Sequence, residues 1–211
     1  SGKSSLISQT LRPILAVSNG SFDRPLSYGK CEGLSLVERV VAVDQRPIGR
    51  NSRSNSATFT GLFAPIRRLF SELPSARMRA YKPSHFSFNS EDGACDGCGG
   101  TGQMIQEGFS DLEEQKVCSY CAGRRYKREV LDIRFHNHDI SEVLALSVHE
   151  ALEIFSSIPE IERRLRVLSY VGLGYLRLGQ PATSLSGGEA QRVKLAAELG
   201  RPSRKNTLYI L

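Results

Sequence analysis

No apolar run in the chain approaches the roughly eighteen residues that a membrane-spanning helix needs, and the N-terminus lacks the charged-then-apolar pattern of a secretory signal. Both absences point to a cytoplasmic protein without a membrane partner. Internal repeats, heptad arrays and low-complexity tracts are missing too, so Leu and Ile at helical spacing read as core. Disorder is excluded by composition: 40% of the 211 residues are hydrophobic, enough for one or two domains with a real core. Neither sign of charge dominates. Lys and Arg total 28 against 22 Asp and Glu, a net +6 that permits a polyanionic partner without demanding one.

Cysteine is scarce but clustered. Cys95, Cys98, Cys118 and Cys121 form CDGC and CSYC, two CxxC pairs, while Cys31 stands apart as a small buried hydrophobe or a free thiol. In a reducing compartment this spacing argues for metal instead of disulfides. Two thiolates two residues apart can grip one ion from a tight turn, and a second turn completes a closed four-sulfur shell suited to structural zinc. Gly97, Gly99, Gly100, Gly102 and Gly123 supply the backbone freedom such turns need. With no open coordination position, the ion would shape a loop and catalyse nothing. His136 and His138 in FHNHD make no comparable set; alternating histidines of this kind sit in solvent.

Two further stretches suggest phosphate. Gly2, Lys3 and Ser4 match the end of the G-x-x-x-x-G-K-[ST] loop. From Thr183 to Gly200, TSLSGGEAQRVKLAAELG reads as a helix with a Gly-rich start, capped by Ser186 or its neighbour and stopped at Gly200. Such an end presents unpaired N–H groups and a positive dipole to an anion. Elsewhere SSLISQTLRPIL reads as helix, VERVVAV as strand and GLFAPIRRLFSEL as amphipathic helix. YKREVLDIRF reads as strand, SEVLALSVHEALEIFSSI and PEIERRLRVLSYVGL as helices with Pro159 at a start, and LYIL as a closing strand.

LSGGEAQR resembles the signature motif of ABC-type ATPases. Together with GLGYLRLGQPAT before it and VKLA after it, it resembles the C-terminal half of the UvrA family, the damage-recognition proteins of the nucleotide excision repair excinuclease. Other stretches agree in order along the whole chain. SGKSSLI resembles the end of the family's second P-loop, DQRPIGRNSRSNSATFTG its Q-loop segment, YKPSHFSFN the approach to its zinc module, and LYIL the strand that leads to Walker B.

The resemblance implies an α/β P-loop (ABC-type) ATPase core with an inserted α-helical signature domain carrying a four-cysteine zinc module. It divides the chain into an ATP-binding core over 1–60, the first part of the inserted domain over 61–94, the zinc module over 95–130, the rest of the signature domain over 131–200 and a return to the core over 201–211. It also implies ATP, Mg2+ and Zn2+ as cofactors. Gly2 and Lys3 would cradle phosphates, Ser4 would meet Mg2+, Ser5 would extend the helix start and Gln45 would sense the γ-phosphate. Ser186, Gly187, Gly188 and Glu189 would cap a nucleotide held by a different P-loop. Implied partners are damaged double-stranded DNA, a second UvrA protomer, and UvrB through regions outside this stretch. The chain then reads as an internal fragment without Walker B carboxylates, one that hydrolyses ATP negligibly by itself.

Arg124, Arg125, Lys127 and Arg128, with Tyr126 among them, follow the second CxxC and form a candidate DNA-binding strip. The competing reading is a solvated face balanced by Asp111, Glu113 and Glu114. Arg46, Arg50 and Arg53 make a second basic strip, and Tyr81, His85, Phe86 and Phe88 are expected to pack the base of the zinc module. Two alternatives stay open: an ABC ATPase of the same build with a non-repair role such as drug tolerance, and a DnaJ-type zinc module. CDGCGGTG fits the CxxCxGxG pattern of the latter, although only one of the two pairs keeps it.

Overall fold

The computed structural model describes residues 2–18, 24–49, 51, 53–107, 113–201 and 205–211, excepting the side chains of residues 3, 4, 16–18, 105–107 and 113–115. The chain forms two compact units, one from Ser1–Asp44 with Arg201–Leu211 and one from Gln45–Gly200.

The first unit opens with the expected helix, in three pieces: α1 (Lys3–Leu6), a π-helical turn over Ile7–Leu11, and α2 (Arg12–Ser18). Pro13 explains the irregularity. It has no N–H for the carbonyl of Gln9 four residues back, so the ladder must adjust there. The freed Gln9 carbonyl accepts from the N–H of Leu26 at 3.0 Å instead. Strand β1 (Arg39–Ala42) pairs in parallel with the last strand, β4 (Thr207–Ile210), with Arg39 opposite Thr207 and Ala42 opposite Ile210. Parallel strands need a crossover connection, and here the whole second unit lies within it.

The second unit is helical: α3 (Ser56–Phe59), α4 (Phe63–Glu72), α5 (Pro74–Met78), α6 (Arg128–Leu131), α7 (Ile140–Ala145), α8 (Val148–Ile154), α9 (Pro159–Tyr170) and α10 (Gly187–Leu199). Between α5 and α6, β2 (Gln103–Glu107) and β3 (Glu113–Val117) form an antiparallel hairpin. One core serves the whole unit. Phe63, Phe70, Phe86, Phe88, Tyr126 and Phe155 are buried in it, with Phe70 and Phe86 centroids 5.5 Å apart and Phe88 edge-on to Tyr126 at 6.0 Å. The buried Tyr126 hydroxyl donates to the Phe86 carbonyl at 3.3 Å, which removes the cost of an unpaired polar atom.

Two segments differ from their expected secondary structure. YKREVLDIRF is not a strand: its residues 128–131 form α6. Leu131, Ile133 and Phe135 alternate as a strand would, but Val130 is buried beside Leu131, and the turn of α6 directs both into one core together with Ile133 just beyond it. SEVLALSVHEALEIFSSI breaks into α7 and α8 at Leu146 and Ser147. Ser147 caps the new helix, and the extended backbone there pairs with residues 176–178 (Val148 N–H to Leu176 O, 3.0 Å; Leu178 N–H to Leu146 O, 2.9 Å). Gly200 does end α10, but in right-handed backbone, so the left-handed freedom of glycine is not used. Residues 45–60, read from sequence with the ATP-binding core, pack in the second unit, where Ala57 belongs to the core.

Helices α7, α8 and α10 begin with reciprocal capping boxes: Asp139 with Glu142, Ser147 with Glu150, Ser186 with Glu189. The carboxyls of all three glutamates lie below the ordinary range. For Glu142 the main cause is the Asp139 N–H, for Glu150 the Ser147 hydroxyl, and for Glu189 the Ser186 N–H. A depressed folded-state value contributes stability above the unfolded pKa of about 4.3 that is lost as the pH falls through the folded value. Helix content followed by circular dichroism is therefore expected to fall below about pH 4, and Glu142→Gln, Glu150→Gln and Glu189→Gln together should flatten that limb. An unchanged acid limb in the triple variant would show that the caps do not contribute.

Candidate metal centre and helix N-terminus

The cysteine sulfurs converge as their spacing predicts. The four Sγ atoms lie within 4.8 Å of one another, with Cys95 and Cys118 4.0 Å apart and Cys98 and Cys121 3.7 Å apart. A tetrahedral zinc shell of four thiolates has sulfurs about 3.8 Å apart, so this set fits one such ion. Among the described residues no other group of His, Cys, Asp and Glu comes together this way. His136 is exposed in a two-residue turn with Asn137.

The two cysteine turns are backbone copies of each other, a repeat that the residues hide. The Cys95 N–H donates to Arg125 O, and the Cys118 N–H to Gly102 O, both at 3.0 Å. Cys98 Sγ accepts from Gly102 N–H at 3.2 Å, and Cys121 Sγ from Arg125 N–H at 3.4 Å. Left-handed φ angles recur in the same places: Gly99, Gly100 and Gly102 after Cys98, and Ala122, Gly123 and Arg125 after Cys121. At Gly100 the requirement is steric as well, because a Cβ would meet the Phe88 carbonyl oxygen at 1.8 Å.

Electrostatics also call for a cation. Burial raises the Cys98 thiol, but the N–H groups of Gly102 and Gly100 outweigh it and pull the thiol down to about 7. Burial pushes Cys121 up to about 12 and raises Cys95 too. Four thiolates at this distance repel, and a bound divalent ion lets all of them ionise, with release of protons. The base of the module is aromatic, as expected for Phe86 and Phe88, which are fully buried; Tyr81 and His85 stack on each other at 4.7 Å.

The basic residues after Cys121 do not share one free face. Arg124 pairs with the buried Asp139 and with Glu142; Arg125 lies 5.2 Å over the Phe88 ring; Lys127 bonds Asp96 at 3.2 Å; Arg128 is exposed. Burial lowers the Arg125 pKa from its ordinary value. Sequence reasoning misses Asp139, although D-x-x-E before an apolar run is a capping-box signal that finds it. It accepts from Ser141 N–H at 2.9 Å and Glu142 N–H at 3.0 Å and also faces Arg134 at 3.5 Å. In the second basic strip, Arg53 donates to the Gly99 carbonyl at 3.1 Å and so braces the first cysteine turn. Arg50 and Asp111 lie outside the described residues, as do the side chains of Glu113 and Glu114.

Helix α10 begins in the open. Ser186, Gly187 and Gly188 are exposed, and nothing lies within 4 Å of a Cβ built on Gly188. Ser186 Oγ takes the Glu189 N–H, while the N–H groups of Gly187 and Gly188 have no partner among the described residues. Glu189 is held from two sides, by Ser186 N–H at 2.8 Å and by the Tyr175 hydroxyl at 2.8 Å. Gln45 sits beside this end, its amide donating to Gln191 at 3.3 Å, and Lys194 donates to Arg46 O at 2.7 Å. Gly2 to Ser5 lie at the start of α1 in the first unit; Ser5 is exposed, and the side chains of Lys3 and Ser4 lie outside the described residues.

Comparison with known proteins decides the family. UvrABC system protein A of Methanothermobacter thermautotrophicus is 50% identical over 212 residues, all of this chain. The protein of the same name from Pseudomonas aeruginosa is 49% identical over 213 residues, again across the whole chain. The chain belongs to the UvrA family. It spans 22% of the length of those two UvrA relatives. The crystal structure of UvrA2 from Deinococcus radiodurans superposes with a TM-score of 0.82 at 47% identity, covering 99% of this chain and 25% of that one. No family model matches the chain. Among the described residues of this UvrA-family chain, no helix is long and apolar enough to cross a membrane.

Proposed function

We propose that this chain is part of the DNA-damage-recognition ATPase of nucleotide excision repair. The observation that carries the reading is near-50% identity to UvrABC system protein A over the full chain. In this reading Cys95, Cys98, Cys118 and Cys121 hold a structural zinc ion that keeps the β2–β3 hairpin and the Arg124–Arg128 stretch in place for damaged duplex DNA. The exposed start of α10, with Ser186, Gly187, Gly188 and Glu189, meets the γ-phosphate of ATP bound to another P-loop, because free N–H groups at a helix N-terminus suit an anion. Gly2, Lys3, Ser4 and Ser5 serve a nucleotide and Mg2+ on their own side, and Gln45 senses the γ-phosphate. A second protomer and UvrB complete the assembly in the cytoplasm, and ATP turnover belongs to the complete protein.

Lesions are read as altered duplex shape and deformability, not as sequence. The test is binding of the complete protein to damaged and undamaged duplexes of equal length, with and without ATP, at fixed salt. A nucleotide-dependent preference for the damaged duplex is expected. Equal, weak binding to both would defeat the repair reading.

A further inference from the structure

A cleft of about 520 Å³ opens beside the second cysteine turn, walled by Gly123 to Arg125, by Ser141, Leu144 and Ala145 of α7, and by Arg177 with residues 179–181. Three arginines line it and no carboxylate does. Arg124 is already engaged by Asp139 and Glu142. Arg125 and Arg177 have no side-chain hydrogen bond or ion pair among the described residues; Glu150 feels Arg177 only through space.

Arg125 is also held under strain. Its φ is +73°, the left-handed region, and the matching position of the first cysteine turn carries Gly102 at +78°. A side chain there strains the backbone, and outliers of this kind concentrate where a ligand is held. The backbone here serves the cysteine turn, with N–H to Cys121 Sγ and carbonyl to Cys95 N–H, but the side chain itself contributes to the fold through its contact with the Phe88 ring. Two underpaired guanidinium groups around a cavity match a tetrahedral oxyanion, which arginine recognises in bidentate fashion.

We propose that this cleft binds a phosphate group through Arg125 and Arg177, carried on a nucleic-acid backbone or on a small polyphosphate. The nucleic-acid arm rests on the repair reading and deepens it by naming the phosphate contact; the small-polyphosphate arm is independent of it. Its position matters as well. The segment from Arg177 runs through Ala182, whose N–H donates to Ser54 O at 2.8 Å, to the exposed N-terminus of α10. One occupant therefore touches the cysteine module and the approach to that helix together.

The experiment uses the full-length, zinc-loaded protein with saturating ADP to fill its nucleotide sites, titrated by calorimetry with pyrophosphate and separately with undamaged duplex DNA. Arg125→Gly and Arg177→Gln are each expected to weaken pyrophosphate binding at least about tenfold. Arg125→Gly should keep its zinc and melt no lower than the parent, because it relieves the strain. Loss of duplex affinity in parallel would assign the phosphate to the nucleic-acid backbone; loss for pyrophosphate alone would assign it to a small polyphosphate. Unchanged pyrophosphate affinity in both variants overturns the site. So does an Arg125→Gly protein that sheds zinc or melts lower, since the arginine would then be serving the fold.

Discussion

Replacing Cys118 by serine is expected to strip the metal from the protein and unravel the β2–β3 hairpin while the helices of the second unit persist. Cys118 is fully buried and its sulfur closes the set with Cys95, Cys98 and Cys121. Structural zinc contributes apparent binding free energies of about 10–16 kcal/mol in small peptides, far more than any other contact near this hairpin. Its two strands bond to each other, and their bases are tied by the cysteine turns; an isolated two-stranded hairpin is at best marginally stable. Metal analysis should fall from about one ion per chain to near zero. Hydrogen exchange at Gln103 and Val117 should accelerate by orders of magnitude, while amides in α9 and α10 keep their protection. A variant that retains its ion, or one that loses every helix, would contradict this separation between a metal-held module and an apolar core.

The second large effect is expected at Asp139. Its carboxylate is buried, caps α7 through two backbone N–H groups, and holds Arg124 from the second cysteine turn and Arg134 from the turn before α7. Asp139→Ala removes the cap and one of the two carboxylates that Arg124 and Arg134 share, leaving them Glu142, at a cost of about 2 kcal/mol. Asp139→Asn can keep the cap through its amide oxygen but sets an NH2 donor against the two guanidinium groups that Oδ2 now accepts from, so it should be milder than alanine only by the value of the cap, about 1 kcal/mol. Urea midpoints of the two variants measure this directly. A double-mutant cycle with Arg124→Ala should return a coupling of about 1–3 kcal/mol. Additive losses would mean that the ion pair contributes nothing and Asp139 acts as a cap alone.

Several of these features are legible in the residues. Paired CxxC spacing picks out the cysteine cluster, because two turns of that length each present a sulfur pair, and the structure brings all four sulfurs within 4.8 Å of one another. Ser186 and Glu189, three apart before an apolar run, announce the start of α10, since a capping box depends only on local chain geometry. The family resemblance of LSGGEAQR and its flanks matches relatives over the whole chain.

Other features depend on distant partners. Leu131, Ile133 and Phe135 carry a strand pattern, yet the segment turns as helix because Val130 must also be buried. The break between α7 and α8 has a local signal in the Ser147–Glu150 capping box, but the extended backbone at Leu146 and Ser147 is also fixed by pairing with residues 176–178, about thirty positions away by sequence. The repeat of the two cysteine turns is invisible in sequence, because Ala122 and Arg125 stand where the first turn has glycines.

From sequence alone came the family, the four-cysteine cluster and the capped helix start, all set by residue type at short, fixed spacing. Tertiary structure alone decided which charges are paired and which face open space. Arg124 is bound to Asp139, Lys127 to Asp96 and Arg53 to Gly99, whereas Arg125 and Arg177 face a cleft. Burial and long-range pairing determine what an arginine meets, and neither is written in the order of the residues.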